Sequence, residues 1–392
     1  MRRRSSSMSE VYPSLGQTLA DTYRGKRVLV TGHTGFKGAW LTLWLKALGA
    51  EVTGIALPTD PDGPDFGRSV GISELIDHRI ADIRDERAFA ETCAGLAPDI
   101  VFHLAAQALV RPSYAAPVET FATNVTGTAV VLDAVRRMPS ARAVVVVTSD
   151  KCYDNREWHW AYRETDPLGG ADPYSASKGC TELVAEAFRR SFFSAPEGCQ
   201  IATARAGNVI GGGDASLDRL LPDIVRATLA GQPVTIRNPA SVRPWQHVLE
   251  PLGGYLLLGA RLMGEDGQRY AQGWNFGPSA DDFLDVEAIT QHVIAAWGEG
   301  APRILFGKRP DDPHEAGMLT LDSSKARAVL GWTPRLSTGE AVRMSVEWYR
   351  EACAHAADMR AFSAAQIARY SEHPTSLTPR QPSIERAAAA CA

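Results

Sequence analysis

Three absences narrow the possibilities before any motif is read. The chain of 392 residues carries only six cysteines, at 93, 152, 180, 199, 353 and 391, with no Cys-x-x-Cys pair and no histidine at ligand spacing. That excludes a disulfide framework and a zinc module, and it points to reduced thiols in a cytoplasmic protein without a metal. No window of about 20 apolar residues occurs, so no membrane-spanning helix is expected. The basic start, residues 1 to 7, is not followed by the apolar segment a signal peptide needs. A formal charge of -4 is spread without a basic stripe, which argues against a nucleic-acid partner. Any bound anion must then be held by local Arg, Lys or backbone N–H groups.

The length suits one large α/β domain and a smaller appended lobe. We divide it into a flexible extension (1–22), a dinucleotide-binding domain (23–213), a mainly substrate-binding lobe with some return to the sheet (214–358) and a tail (359–392). Residues 26–31 read as a strand, Gly32 to Gly38 as a glycine loop, and Trp40, Leu41, Trp44, Leu45 and Leu48 as the apolar stripe of a helix. Strand, glycine loop and helix in that order form a turn in which backbone N–H groups and a helix N-terminus meet a pyrophosphate. The second strand, from Glu51, is not followed at once by an acid for the adenosine ribose; Leu57-Pro58-Thr59 stands there, so NAD and NADP are not distinguished locally.

Asp82 and Ile83 close a third strand, where a carboxylate accepts from an adenine amino group or caps the next helix. The fourth, from Asp99, ends in Leu104, Ala105 and Ala106, small enough for a ribose to lie close. His103 within it reads as a core residue. Thr123 and Asn124 lie in the middle of a helical run over 117–137, where a buried amide ties neighbouring backbone. Four valines, 144 to 147, read as a central strand buried on both faces, which places Thr148, Ser149, Asp150 and Lys151 at its carboxyl end. Asp172-Pro173 opens a helix in which Tyr174 and Lys178 share a face, and a phenol beside a fixed cation ionises more easily. A sixth strand from Gln200 completes the alternation of a doubly wound parallel sheet. Beyond residue 213 the pattern loosens into a lobe richer in Arg and Trp.

Together these residues resemble the extended short-chain dehydrogenase/reductase superfamily, and within it the nucleotide-sugar 4,6-dehydratases. The strings Gly32 to Gly38, Thr148 to Asn155, Arg205 to Asp214 and Arg243 to Val248 are similar to those members that act on CDP-sugars. The resemblance covers roughly residues 20 to 355. It implies a Rossmann-type fold, tightly held NAD, a CDP-hexose substrate, and a homodimer formed through a four-helix bundle. It also implies roles. Tyr174, assisted by Lys178, takes a sugar hydroxyl proton; Ser149 bonds the C4 oxygen, Asp150 is the acid and Lys151 the base at C5. Gly32, His33, Thr34, Gly35, Phe36, Lys37, Gly38, Asp82, Ile83, Leu104, Ala105, Ala106, Gln107, Thr123, Thr148 and Ala206 surround the cofactor. Gln107, Arg111, Asn208, Arg219, Leu220, Ile236, Arg237, Arg243, Gln246, His314 and Glu315 meet the substrate. Ala215 and Ala161 depart from the family pattern, which expects Trp and Gly there. These departures keep open a different base or sugar, or a 4-epimerase working through the same keto intermediate.

Overall fold

The computed structural model describes residues 14–59, 66–307, 316–354 and 358–373. Helix α1 (Leu15–Tyr23) leads into β1 (Arg27–Thr31), α2 (Phe36–Ala47), β2 (Glu51–Ala56) and β3 (Asp77–Ile80). Then follow α3 (Glu86–Cys93), β4 (Ile100–His103), and a helical run of α4 (Pro117–Phe121), a π-helical turn (Ala122–Thr126) and α5 (Gly127–Val135). Next come β5 (Ala143–Val147), α6 (Pro173–Phe192), β6 (Gln200–Ala206), α7 (Leu220–Ala230), α8 (Leu249–Leu262) and β7 (Gly273–Phe276). The chain ends through α9 (Val286–Trp297), α10 (Thr338–Ala354) and α11 (Met359–Glu372). Seven strands form one parallel sheet in the order β7-β6-β5-β4-β1-β2-β3. The order reverses between β1 and β4, and a crevice opens there at the carboxyl ends, where such sheets bind ligands.

Side chains alternate across a strand, so β5 feeds two cores at once. Val145 and Val147 join the core made with α2 and α8, whereas Val144 and Val146 join the one made with α3, α5 and α6. Each face is thus sealed by helices, and β5 cannot slip by one residue without exchanging its two packed faces.

Two boundaries differ from expectation. Part of the supposed N-terminal extension is helix α1, which buries Leu15, Leu19 and Tyr23, the last donating a hydrogen bond to Leu256 O at 2.7 Å. The described start of the supposed tail is α11, held by Tyr370, whose hydroxyl donates to Glu250 Oε2 at 2.9 Å. Helix α1 spaces its three apolar residues at helical intervals, whereas α11 turns inward a mixed face of Ser363, Gln366, Ile367, Tyr370 and Ser371. Residues 1–13 and 374–392 lie outside the described set.

Glu250 is buried at the start of α8, and its Oε1 accepts the N–H groups of Arg335 at 2.8 Å and Leu336 at 2.6 Å. Burial pushes its carboxyl up to about 7, against the pull of these donors. A carboxyl raised in the folded state keeps its proton where the unfolded chain has lost it, so stability falls as pH climbs from the unfolded value toward 7. Glu250→Gln keeps an oxygen for the two N–H groups and removes the charge. We expect it to unfold later than the parent at pH 8, by on the order of 2 kcal/mol, and no later at pH 4, as urea titrations at both pH values would read.

Candidate active site

The crevice is built first from glycine. Gly32 turns with φ +76°, and a Cβ on it would lie 2.6 Å from the backbone N of Ala105. A Cβ on Gly38 would lie 2.0 Å from Gly32 O. The turn, α2 and the end of β4 close up only because these side chains are missing. Gly35 caps α2 without a side-chain hydrogen bond, so the first N–H groups of the helix have no side-chain cap to compete with an anion. This cradle fits a dinucleotide pyrophosphate.

Thr34 and Phe36 flank the turn, and Leu104, Ala105 and Ala106 form its opposite wall after β4; Thr31 O accepts the N–H of Leu104 at 3.0 Å. The His33 ring is fully buried against Gly54 and bonded to His78 at 2.7 Å, held down to about 4 by burial and by His78. Its side chain therefore belongs to the base of the turn. Asp82 follows β3, and its carboxylate is gripped by Arg84 at 2.6 Å, which together with an Arg84 N–H bond keeps it below the usual range. The cap of α3 is Asp85, through the Ala88 N–H, and not Asp82. Ile83 is a core side chain packed on Gly127. Asn124 ties backbone: its Oδ1 accepts from Gln107 N at 2.8 Å and its Nδ2 donates to Gln107 O at 3.0 Å and to Ser177 Oγ at 2.8 Å. Thr123 is its neighbour in the π-helical turn. Ala206 ends β6 in the core. His103 is a satisfied core residue between Thr31 Oγ1 at 2.7 Å and Thr128 Oγ1 at 3.0 Å.

The organising strand delivers the polar groups. Ser149 Oγ donates to Asp150 Oδ1 at 2.9 Å and accepts the Lys151 N–H at 3.2 Å. Asp150 is buried and its Oδ2 has no hydrogen-bond partner among the described residues. Burial pushes this carboxyl up, opposed by Lys151, the Ser149 hydroxyl, Arg243 and Lys37, so a cluster of cations surrounds a group that nonetheless holds its proton more firmly than usual. Asp172 caps α6, accepting from Ser175 N, and sets the first turn that carries Tyr174. Tyr174 and Lys178 are both buried beside Ser149 and the end of β5.

The electrostatics correct one expectation. Burial pushes the Tyr174 phenol up, and what pulls it down is the Ser149 hydroxyl and Arg219. Lys178 is itself pushed down to about 8 by burial. Desolvation, which the sequence does not display, outweighs the proximity of an ammonium. Lys37 is the group whose position was hardest to foresee. It points into the same space as Asp150 and Lys178 and is held down to about 7 by burial and by Arg219.

On the other side lies a cleft of about 190 Å³ lined by residues of α7, β6's exit and the segment 234–245. Leu220, Ile236, Asn208 and Arg219 line it, the last donating to Ala108 O at 3.0 Å. Arg237 reaches Asp218 at 3.0 Å and Arg111 approaches the same carboxylate at 3.6 Å. Arg243 is buried and donates to the carbonyls of Val242 and Ala316. Gln246 donates to Phe276 O at 2.8 Å and its N–H reaches Asn208 O at 3.0 Å. Gln107 folds back on Leu109 through both ends of its amide. Thr148 turns its hydroxyl into the protein, to Glu182 at 2.5 Å. His314 and Glu315 lie outside the described residues. Sequence reasoning passed over Glu182; its i, i+4 spacing from Lys178 was the signal available.

A parallel sheet with this glycine turn, and a Tyr-x-x-x-Lys pair beside Ser149 and Asp150 at its carboxyl edge, define a short-chain dehydrogenase/reductase type of site. The chain belongs to the GDP-mannose 4,6 dehydratase family, whose model matches residues 29–345. It is 52% identical over 332 residues to a CDP-glucose 4,6-dehydratase of Salmonella typhimurium, covering 84% of this chain and 91% of the relative. It is 25% identical to a probable dTDP-glucose 4,6-dehydratase of Sinorhizobium fredii, over 83% of this chain and 93% of that one. Among solved structures, a dTDP-glucose 4,6-dehydratase of Streptomyces venezuelae with NAD bound superposes with a TM-score of 0.68 at 25% identity, over 85% of this chain and 99% of that one. An epimerase of Methanothermobacter thermautotrophicus reaches 0.72 at 23% identity, over 87% and 96%, a likeness of fold.

Because Gly38 abuts Gly32 O at less than a contact distance for any Cβ, Gly38→Ala must push the turn off α2. The expected cost is about 2 kcal/mol or more, read as a lower urea midpoint at unchanged slope.

Proposed function

We propose that the chain dehydrates CDP-glucose to CDP-4-keto-6-deoxyglucose. The observation that carries this reading is Asp150: a buried carboxyl, raised by its surroundings, at the end of the central strand and within the field of Tyr174. An epimerase needs no acid to expel water, whereas a dehydratase does. The 52% identity to a CDP-glucose 4,6-dehydratase supports the same choice.

NAD held in the glycine cradle supplies the acceptor for the C4 hydride and its return to C6. Tyr174 takes the C4 hydroxyl proton, with Ser149 bonding the oxygen as it becomes a ketone. Lys151, half-buried next to Asp150, removes the proton made acidic at C5. Asp150 gives its proton to the C6 hydroxyl, which departs as water, and the C5 proton is restored as C6 is reduced. The sum is loss of one water without net oxidation. Arg219 and Arg243, with Arg237 behind them, hold the CDP diphosphate, since forked guanidinium donors match phosphate oxygens.

The exposed apolar residues Val118 and Phe121 on α4 and Leu183 and Phe192 on α6 support a homodimer that pairs these two helical runs with those of a second copy. No helix among the described residues is long and apolar enough to cross a membrane.

Incubation with CDP-, UDP-, GDP- and dTDP-glucose is expected to remove 18 mass units from the CDP sugar first; a mass loss confined to another nucleotide would reject the assignment of the base. Tyr174→Phe is expected to lower the rate by at least about a thousandfold. Lys151→Ala should still permit reduction of bound NAD by substrate while blocking entry of solvent deuterium at C5, and undiminished deuterium entry would remove Lys151 as the base.

A further inference from the structure

Behind the pair Tyr174 and Lys178 sits a buried anion to which the reading above gives no task. Glu182 lies one helical turn beyond Lys178 on the same face of α6 and is buried. Its Oε1 accepts from Thr148 Oγ1 at 2.5 Å, and its Oε2 accepts from Thr203 Oγ1 at 2.6 Å and Arg205 Nη2 at 2.7 Å. Three donors from β6 and the end of β5 thus hold the carboxylate in one place. The chain continues outward: Arg205 Nη1 donates to Tyr153 Oη at 2.8 Å, and Tyr153 donates to Asn275 Oδ1 at 2.7 Å. Every member is buried. A carboxylate bound so completely stays ionised through the working range, and Arg205 with its hydrogen bonds keeps it low against burial.

Lys178 has the opposite problem. Its ammonium is buried, and among the described residues its one hydrogen bond is to Val147 O at 3.4 Å, long for such a group. The titratable groups whose charge reaches it are Glu182 on its own helix, Cys152 after β5, His103 on β4 and Lys37 in the glycine turn. Burial keeps Cys152 a neutral thiol and His103 a neutral imidazole, and Lys37 repels. That leaves Glu182 as the ionised acid facing Lys178 among the described residues.

We infer that Glu182 is a positioning residue for the proton transfer: clamped by Thr148, Thr203 and Arg205, it holds Lys178 charged and in register beneath Tyr174. It acts through Lys178 and touches neither cofactor nor substrate. The same clamp joins α6 to the strands whose ends carry Ser149 and Asp150, so the charge and the placement of the pair have one source. The inference rests on the assignment of Tyr174 and Lys178 to the hydroxyl proton, but its test does not need turnover.

Trace acetylation of the unloaded protein with acetic anhydride across pH, with the Lys178 peptide quantified by mass spectrometry, reads the titration of this amine directly. The unaltered chain is expected to reach half-reactivity near pH 8. Glu182→Gln removes an anion that raises Lys178, so its half-point is expected to fall by one unit or more. Glu182→Asp, which keeps the charge, is expected to bring it back toward the parent. Because Glu182→Gln leaves Arg205 buried and unpaired, the double variant E182Q/R205M is the safer fold and is expected to show the same fall. The alkaline limb of NAD reduction by CDP-glucose should move by the same amount in the same direction. An unmoved Lys178 half-point in either folded variant overturns the inference. Absence of turnover with a normal Lys178 titration would instead count against the dehydratase reading alone.

Discussion

The site depends on the buried ion pair of Glu182 and Arg205. Taking two charges out of water costs several kcal/mol each unless further hydrogen bonds satisfy them. Here Thr148 and Thr203 bond the carboxylate and Tyr153 one arm of the guanidinium, each from a different stretch of chain around the carboxyl edge, while Arg205 Nε has no hydrogen-bond partner among the described residues. A pair so placed tolerates little rotation of α6 over β5 and β6. The face of α6 that carries Tyr174 and Lys178 is thereby aimed at the strand end that carries Ser149 and Asp150. Geometry that catalysis needs to within a fraction of an ångström rests on a polar network rather than on apolar contact, which permits sliding.

Around that anchor the charges are arranged against their ordinary tendencies. Burial lifts the carboxyl of Asp150 and the phenol of Tyr174, and it lowers the amines of Lys37 and Lys178. Each shift favours the neutral form, which is what a crowded, dry pocket imposes on any charge. A carboxyl raised above its usual range and amines lowered toward neutrality are the components of proton traffic near pH 7. The cations surrounding Asp150 temper its rise, while Ser149 both donates to it and accepts from the backbone of Lys151. One serine therefore links the Asp150 carboxyl, the Lys151 backbone and the Tyr174 phenol.

The rim of the cleft presents a different logic. Arg111, Arg237 and Asp218 form a charged group at the rim, while Arg243 is drawn inward to the carbonyls of Val242 and Ala316. Ala161 lies in an insert whose aromatic residues stack on one another, Tyr153 on Tyr162 and Trp158 on Tyr162. The stack supplies apolar area to its own packing, so the insert keeps its shape without the glycine.

Much of this protein could be read directly from residue order. Four successive valines can only be a strand sealed on both faces, and glycines at 32, 35 and 38 between a strand and an amphipathic helix leave few alternatives to a dinucleotide turn. Those inferences succeed because they concern backbone periodicity and steric freedom, which are local. Asp172 as a cap and Asn124 as a tie between elements were legible for the same reason. The terminal helices were not, since α1 and α11 are defined by what they bury rather than by any strong signal of their own. The shifts at Tyr174, Lys37 and Lys178 and the task of Glu182 belonged to the tertiary structure alone. Desolvation depends on everything packed around a group, and the partners that clamp Glu182 come from positions 148, 203 and 205, brought together only when the sheet closes.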